Sequence, residues 1–117
     1  EYIYRITLLL SLKEIILNTY PILSDKIINE IILVIIQNSN DIVPNVRIIC
    51  TIILGEIVKM LNKLSNSSSS SSTTTTVATS IPSSNIILQI KPVLTELSND
   101  KDKDVKYFAQ ESLKNCQ

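Results

Sequence analysis

The chain has 117 residues, 44% of them hydrophobic, with 11 basic and 11 acidic side chains, one glycine, no histidine and only 4% aromatic residues. That length suits one domain with one shared core, and an Ile/Leu-rich, glycine-poor composition disfavours turn-rich β architectures and favours stacked helices. A balanced charge gives no overall field toward nucleic acid or an anionic membrane. With no histidine, no glycine-rich phosphate loop and no Cys/His metal set, the chain reads as a non-enzyme without cofactors.

Five helices are predicted. Helix one covers residues 2–18 and ends before Tyr20-Pro21, because a residue preceding proline is driven out of the helical region. Helix two opens at Ser24 or Asp25, both good N-cap residues, and runs to residue 37. Helix three runs over residues 44–64 from Pro44, a favoured first-turn residue, and is apolar almost all round, which marks it as interior.

Residues 65–84, "SNSSSSSSTTTTVATSIPSS", are nearly pure Ser and Thr, cannot bury a face, and read as a disordered insertion that phosphorylation could charge. Helix four follows over residues 85–97, with Pro92 as an expected kink. Helix five begins near Asp102 or Asp104, whose carboxylates suit a helix N-terminus, and ends near Cys116. Its apolar stripe is Val105, Phe108, Ala109, Ser112, Leu113 and Cys116. Lys106, Gln110, Glu111, Lys114 and Asn115 stand opposite, the pattern of a polar-backed terminal cap.

Cys50 and Cys116 lie inside apolar helical patterns and read as packed thiols in a reducing compartment, cytoplasmic with the nucleus as a second location. No apolar run is long enough to span a membrane: Asn29 and Glu30 interrupt one, and Arg47 and Glu56 bracket the next. Nothing resembles a signal peptide.

An internal repeat links these helices. "NDIVPNVR" at 40–47 aligns with "NDKDKDVK" at 99–106, setting Val46 on Val105 at an offset of 59; the same offset sets Ile27 on Ile86, Ile31 on Ile90 and Ile35 on Leu94. Arg5 and Ile6 fall on Arg47 and Ile48 at an offset of 42, as do Leu12 and Glu14 on Leu54 and Glu56. Removing the insertion brings the longer offset to about 40, the period of HEAT and armadillo arrays. Closing a longer loop adds only about 0.6 kcal/mol per doubling, so such an insertion is tolerated. The expected architecture is an all-α HEAT-repeat α-solenoid, an armadillo-like superhelix of about two and a half repeats. It forms a single domain over 1–117 and reads as the carboxy-terminal fragment of a longer array. Helix one is then left with a bare apolar face and a tendency to self-associate.

"DKDVKYFAQESL", with "IKPVLTELSND" before it, resembles the carboxy-terminal HEAT repeats of the protein phosphatase 2A scaffolding A subunit family, and "YIYRIT" and "NVR" fall in register with its preceding repeats. The protein phosphatase 4 regulatory subunit 1 family has a similar ending, and "VPNVR" resembles its wording equally well. The resemblance implies a non-catalytic scaffold whose ridge of intra-repeat turns docks a Ser/Thr phosphatase catalytic subunit, a regulatory subunit binding elsewhere on the parent chain. Nucleic acid and membrane are not expected partners. The matching ridge positions are Asp41, Ile42, Val43, Pro44 and Asn45, with Tyr2 and Arg5 at the start of helix one. Ile42, Pro44 and the Ser/Thr tract depart from the common scaffold wording. A HEAT adaptor carrying cargo in nuclear transport or vesicle traffic is the competing reading.

The same residues have structural readings. Asp41, Asn45 and Arg47 can cap helix three and tie it to the neighbouring repeat. Residues 101–106 can be a solvated turn, since exposed alternating charges contribute little each. Tyr107, off the apolar stripe, can simply cover the end of the stack.

Overall fold

The computed structural model describes residues 2–20, 22–69 and 81–116, with side chains described outside 65–84. Five helices occur among them: α1 (Tyr2–Thr19), α2 (Asp25–Asn38), α3 (Pro44–Ser69), α4 (Ile81–Leu97) and α5 (Lys103–Leu113), closed by a 3₁₀ turn (Lys114–Cys116). No strand occurs among the described residues. The expected disorder of the Ser/Thr insertion lies outside the described residues for 70–80. At its margins α3 runs on to Ser69 and α4 starts at Ile81, beyond the predicted limits of 64 and 85. Serine is a weak helix former, not a helix breaker, and it can continue a helix already nucleated.

The helix boundaries follow from local chemistry. At the start of α2 the Ser24 backbone is extended and its hydroxyl accepts the Ile27 N–H at 3.4 Å, while Asp25 places negative charge on the first turn. Asp102 caps α5 in the same way, its carboxylate accepting the N–H groups of Asp104 at 2.9 Å and Val105 at 3.1 Å. Pro44 occupies the first position of α3, where a missing N–H costs nothing. Pro92 sits within α4 without ending it.

The helices form two rows. α1, α3 and α5 pack side by side in that order, while α2 packs on α1, α3 and α4, and α4 packs on α2, α3 and α5. α3 therefore touches every other helix. Its buried set of Val46, Cys50, Ile53, Leu54, Ile57, Val58 and Leu61 faces Leu9 and Ile16 of α1, Ile28, Ile32 and Ile35 of α2, and Ile86, Ile90 and Leu94 of α4 within one core. A second, smaller cluster of Leu97, Val105 and Ala109 joins α4 to α5.

Burial corrects one detail of the sequence register. Ile27 is 44% exposed whereas its aligned residue Ile86 is 3% exposed, and it is Ile28, Ile32 and Ile35 of α2 that are buried. The cause is Lys91, which stands where the sequence register would place buried Ile32. A charged side chain does not take a fully buried, unpaired position, so the first turns of α4 bury Ile86 and Ile90 instead, while Leu94 keeps the register of Ile35.

α3 and α5 pack tightly at Gly55, the only glycine in the chain. A methyl group there would lie 2.7 Å from Ser112 Cβ and 3.2 Å from Ser112 Cα. Around this crossing Ser112 Oγ donates to the Thr51 carbonyl at 2.7 Å, Asn115 Nδ2 to the Gly55 carbonyl at 3.2 Å, and Asn62 Nδ2 to the Asn115 carbonyl at 2.6 Å. Asn115, expected on the polar side of α5, turns inward because the chain tightens into the 3₁₀ turn after Leu113. Gly55→Ala is expected to cost about 1–3 kcal/mol by overpacking, despite the gain of about 1 kcal/mol in helix propensity. Urea denaturation should show that loss, and Ser112→Gly in the same chain should recover part of it by vacating the space.

Candidate functional site

The turns 39–43 and 98–102 lie at the ends of α2 and α4, each leading into a helix of the other row. Two arginines join them. Arg5, on the first turn of α1, donates from Nη2 to Asp41 Oδ1 at 3.0 Å and from Nε to Asp41 Oδ2. Arg47, one unit further on, donates from Nη2 to Asp100 Oδ1 at 3.0 Å and from Nε to Asp100 Oδ2 at 2.9 Å. Its remaining nitrogen, Nη1, donates to the carbonyls of Asp41 at 2.8 Å and Ile42 at 3.2 Å. Each aspartate also folds its own turn: Asp41 Oδ1 accepts the Val43 N–H and Asp100 Oδ1 the Asp102 N–H, both at 2.8 Å.

These are two rungs of one ladder. Guanidinium and carboxylate meet fork to fork, the geometry that fixes both partners most firmly. The second rung is the drier: the Arg47 and Asp100 side chains are 10% and 12% exposed, whereas Arg5 is 37% exposed against 9% for Asp41. The Arg5 hydrogen bond holds the Asp41 carboxyl below its usual pKa against the upward push of burial, with help from the Val43 N–H. At Asp100 burial pushes upward, but the Arg47 hydrogen bond and the Asp102 N–H outweigh it, and the pKa again falls. Lys106 takes the arginine's place in the third unit and is exposed.

The expected ridge residues separate into two groups. Arg5 and Asp41 are brought together, and both carboxylate oxygens of Asp41 are engaged within the chain, so they hold the turn in shape. Val43 is part-buried against the core. Ile42, 81% exposed, together with exposed Pro44 and Asn45, forms the outward surface of the turn. Tyr2, 41% exposed, lies three residues before Arg5 and so on the same side of α1. Between the two turns lies a cleft of about 500 Å³, lined among others by Asn40, Ile42, Val93, Glu96, Leu97 and Lys101.

Sequence reasoning gave Arg47 its tie to a neighbouring repeat but missed its partner Asp100. The signal was present as the paired recurrence of Arg5 with Arg47 and Asp41 with Asp100. Val93 and Glu96 carried no signal, because only the packing of α4 beside the turn brings them to the cleft.

The arrangement sets an exposed apolar side chain, Ile42, beside a cleft between two hydrogen-bonded turns. No group of three or more His, Cys, Asp or Glu among the described residues is placed to hold a metal ion, and no helix among them is long and apolar enough to cross a membrane. Cys50 is buried, donates from Sγ to the Ile35 carbonyl at 3.5 Å, and has its pKa pushed up to about 12 by burial, which makes it a poor nucleophile. Comparisons with protein-family models, curated proteins and solved structures each found no match.

Arg47→Ala leaves the half-buried Asp100 carboxylate without its main partner and is expected to cost about 1–3 kcal/mol, measured by denaturant unfolding. Arg5→Ala should cost less because water screens its rung. Both aspartates titrate low in the folded chain, so their contribution is complete above the ordinary aspartate value of about 4 and is lost as pH falls through the folded-state values. Melting temperature should drop below about pH 4, and Asp41→Asn with Asp100→Asn should flatten that acid limb while lowering stability at neutral pH.

Proposed function

We propose that this chain is the carboxy-terminal part of a HEAT-repeat scaffold for a type 2A Ser/Thr protein phosphatase, without chemistry of its own, and that its ridge of turns docks the catalytic subunit. The observation that carries this reading is the alignment of the two turns by the Arg47 rung, which sets Ile42 and the cleft beside it on one edge. Two rows of helices with turns along one edge are the arrangement expected of a helical solenoid. The resemblance of "DKDVKYFAQESL" to the scaffold family supplies the choice of partner.

In this reading the turn divides its labour. Asp41 and Arg5 fix the backbone, Ile42 and Pro44 offer apolar contact, and Asn45 offers an amide that can both donate and accept. Exposed apolar groups held rigidly lose little entropy on docking, and binding energy concentrates in such anchors. Tyr2 extends the same edge by one helix.

The test is a pull-down of purified catalytic subunits of phosphatases 2A and 4 by the chain and by Ile42→Asp. Since Ile42 is 81% exposed, the substitution should leave the fold intact, which circular dichroism checks. Retention of one catalytic subunit, weakened at least about tenfold by the aspartate (about 1.4 kcal/mol), is the expected result. Failure to retain either subunit would overturn the reading, and retention of a small GTPase or a cargo peptide in a parallel pull-down would assign the ridge to a transport adaptor.

A further inference from the structure

The internal repeat makes the burial of each helix a test of its neighbours. On α3 the stripe Val46, Cys50, Ile53 and Ile57 is 0–1% exposed. It is covered by the helix pair that precedes it: α1 and α2 both pack on α3, and Cys50 Sγ reaches the Ile35 carbonyl of α2. On α5 the corresponding Val105, Ala109 and Ser112 are buried as well, beneath α3 and α4, with Ser112 bonded to the Thr51 carbonyl of α3. Counting back by the offset of 42 that sets Arg5 on Arg47, the same stripe on α1 is Tyr4, Leu8, Ser11 and Ile15. Here the burial is reversed. Tyr4 is 75%, Leu8 46% and Ile15 44% exposed, and Ser11 is exposed too. The opposite stripe of α1 behaves normally, with Leu9 and Ile16 at 0% in the core.

We propose that the Tyr4, Leu8, Ser11 and Ile15 face is a seat for a further helix pair of the α1–α2 kind, stacked on α1 as α1 and α2 stack on α3. The occupant is defined by its chemistry. It presents aliphatic side chains at the spacing of Ile28, Ile32 and Ile35, and it ends in a turn carrying an aspartate where Asp41 stands. The argument rests on continuity with an interface already present in the chain. Two helices in equivalent positions, α3 and α5, bury this stripe under the preceding pair, and α1 keeps an apolar side chain at three of its four positions. The ladder extends with the stack, because an added turn ahead of α1 brings an aspartate to the place Asp41 takes beside α3. The inference depends on the internal repeat and is independent of the phosphatase reading, which has its own readout in the pull-down.

The experiment is a tandem duplication in which residues 2–43 are copied immediately ahead of Tyr2, so that the copied turn leads into α1 as the turn at 39–43 leads into α3. The expected result is a rise in melting temperature of about 5 °C or more, with slowed hydrogen exchange in the inner copy of α1. Leu8→Asp with Ile15→Asp should leave helix content and melting of the single chain nearly unchanged, since both positions are exposed there, and should abolish the gain when placed in the inner copy of the duplicated chain. A duplicated chain that melts no higher than the single one overturns the proposal, as does an inner-copy double substitution no more harmful than in the single chain. If the single chain sediments as a dimer that the two aspartates dissolve, while duplication brings no gain, the seat belongs to a second copy and the proposal fails.

Discussion

The Arg47 guanidinium is the constraint on which the arrangement of turns depends. Its three nitrogens make four hydrogen bonds, two to a carboxylate of the next unit and two to carbonyls of the turn that precedes its own helix. A lysine could not do this, since a single ammonium lacks the planar fork. One side chain therefore sets the conformation of residues 41–42 and the distance between adjacent units. Burying such an ion pair yields less free energy than an apolar pair of the same volume would, and its benefit lies in register. Apolar stripes alone specify register weakly here: the buried sets of α2 and α4 align at Ile35 and Leu94 but not at Ile27 and Ile86. The ladder removes that freedom at the end of the helices where the turns must line up.

At the other end, register is set by close packing. Gly55 allows α5 to approach α3 until Ser112 reaches a helical carbonyl, and the Asn62 and Asn115 amides close the remaining space. The hydroxyl and amides are buried or half-buried, and each has a partner, so hydrogen bonds offset the desolvation they suffer in positioning the helix. α5 is thus held at two points along its length, by Asp102 and Asp100 at its start and by Ser112 and Asn115 at its end. Its outer face, with Lys106, Gln110, Glu111 and Lys114 exposed, is free to be polar.

What the sequence made legible was whatever depends on short spacing. Helix periodicity, the Ser24 cap, Pro44 at a helix start and the all-round apolarity of α3 gave five helices and the interior position of the third. The Ser112 stripe of α5 was visible for the same reason. The limits of α3 and α4 were not, because a Ser/Thr tract signals weak propensity without saying where a helix stops. The candidate site was half legible. Ile42, Pro44 and Asn45 were placed on an exposed turn, but Arg5 and Asp41 had the same polarity in sequence as docking residues and were found bonded to each other. Polarity alone cannot separate a residue that meets a partner from one that shapes the surface. Only a paired recurrence, arginine with arginine and aspartate with aspartate at two offsets, carries that distinction.

Position in the stack then decides how each unit behaves. An interior unit such as α2–α3 is covered on both sides, so its stripes are aliphatic and its arginine has an aspartate beyond it. α5 differs from it at two points: its outer face is polar, and a lysine stands at 106 in place of arginine. α1 shows neither change. It keeps arginine at position 5 and apolar residues at 4, 8 and 15, the pattern of an interior helix. Such asymmetry is tolerated wherever each helix pair draws its stability from its nearest neighbours. Apolar core, ladder and helix crossing act together in the α3–α5 half of the chain. The turns at 39–43 and 98–102 are built on that half, and Ile42 is presented on a backbone held by Arg47 and by the Asp41 side chain.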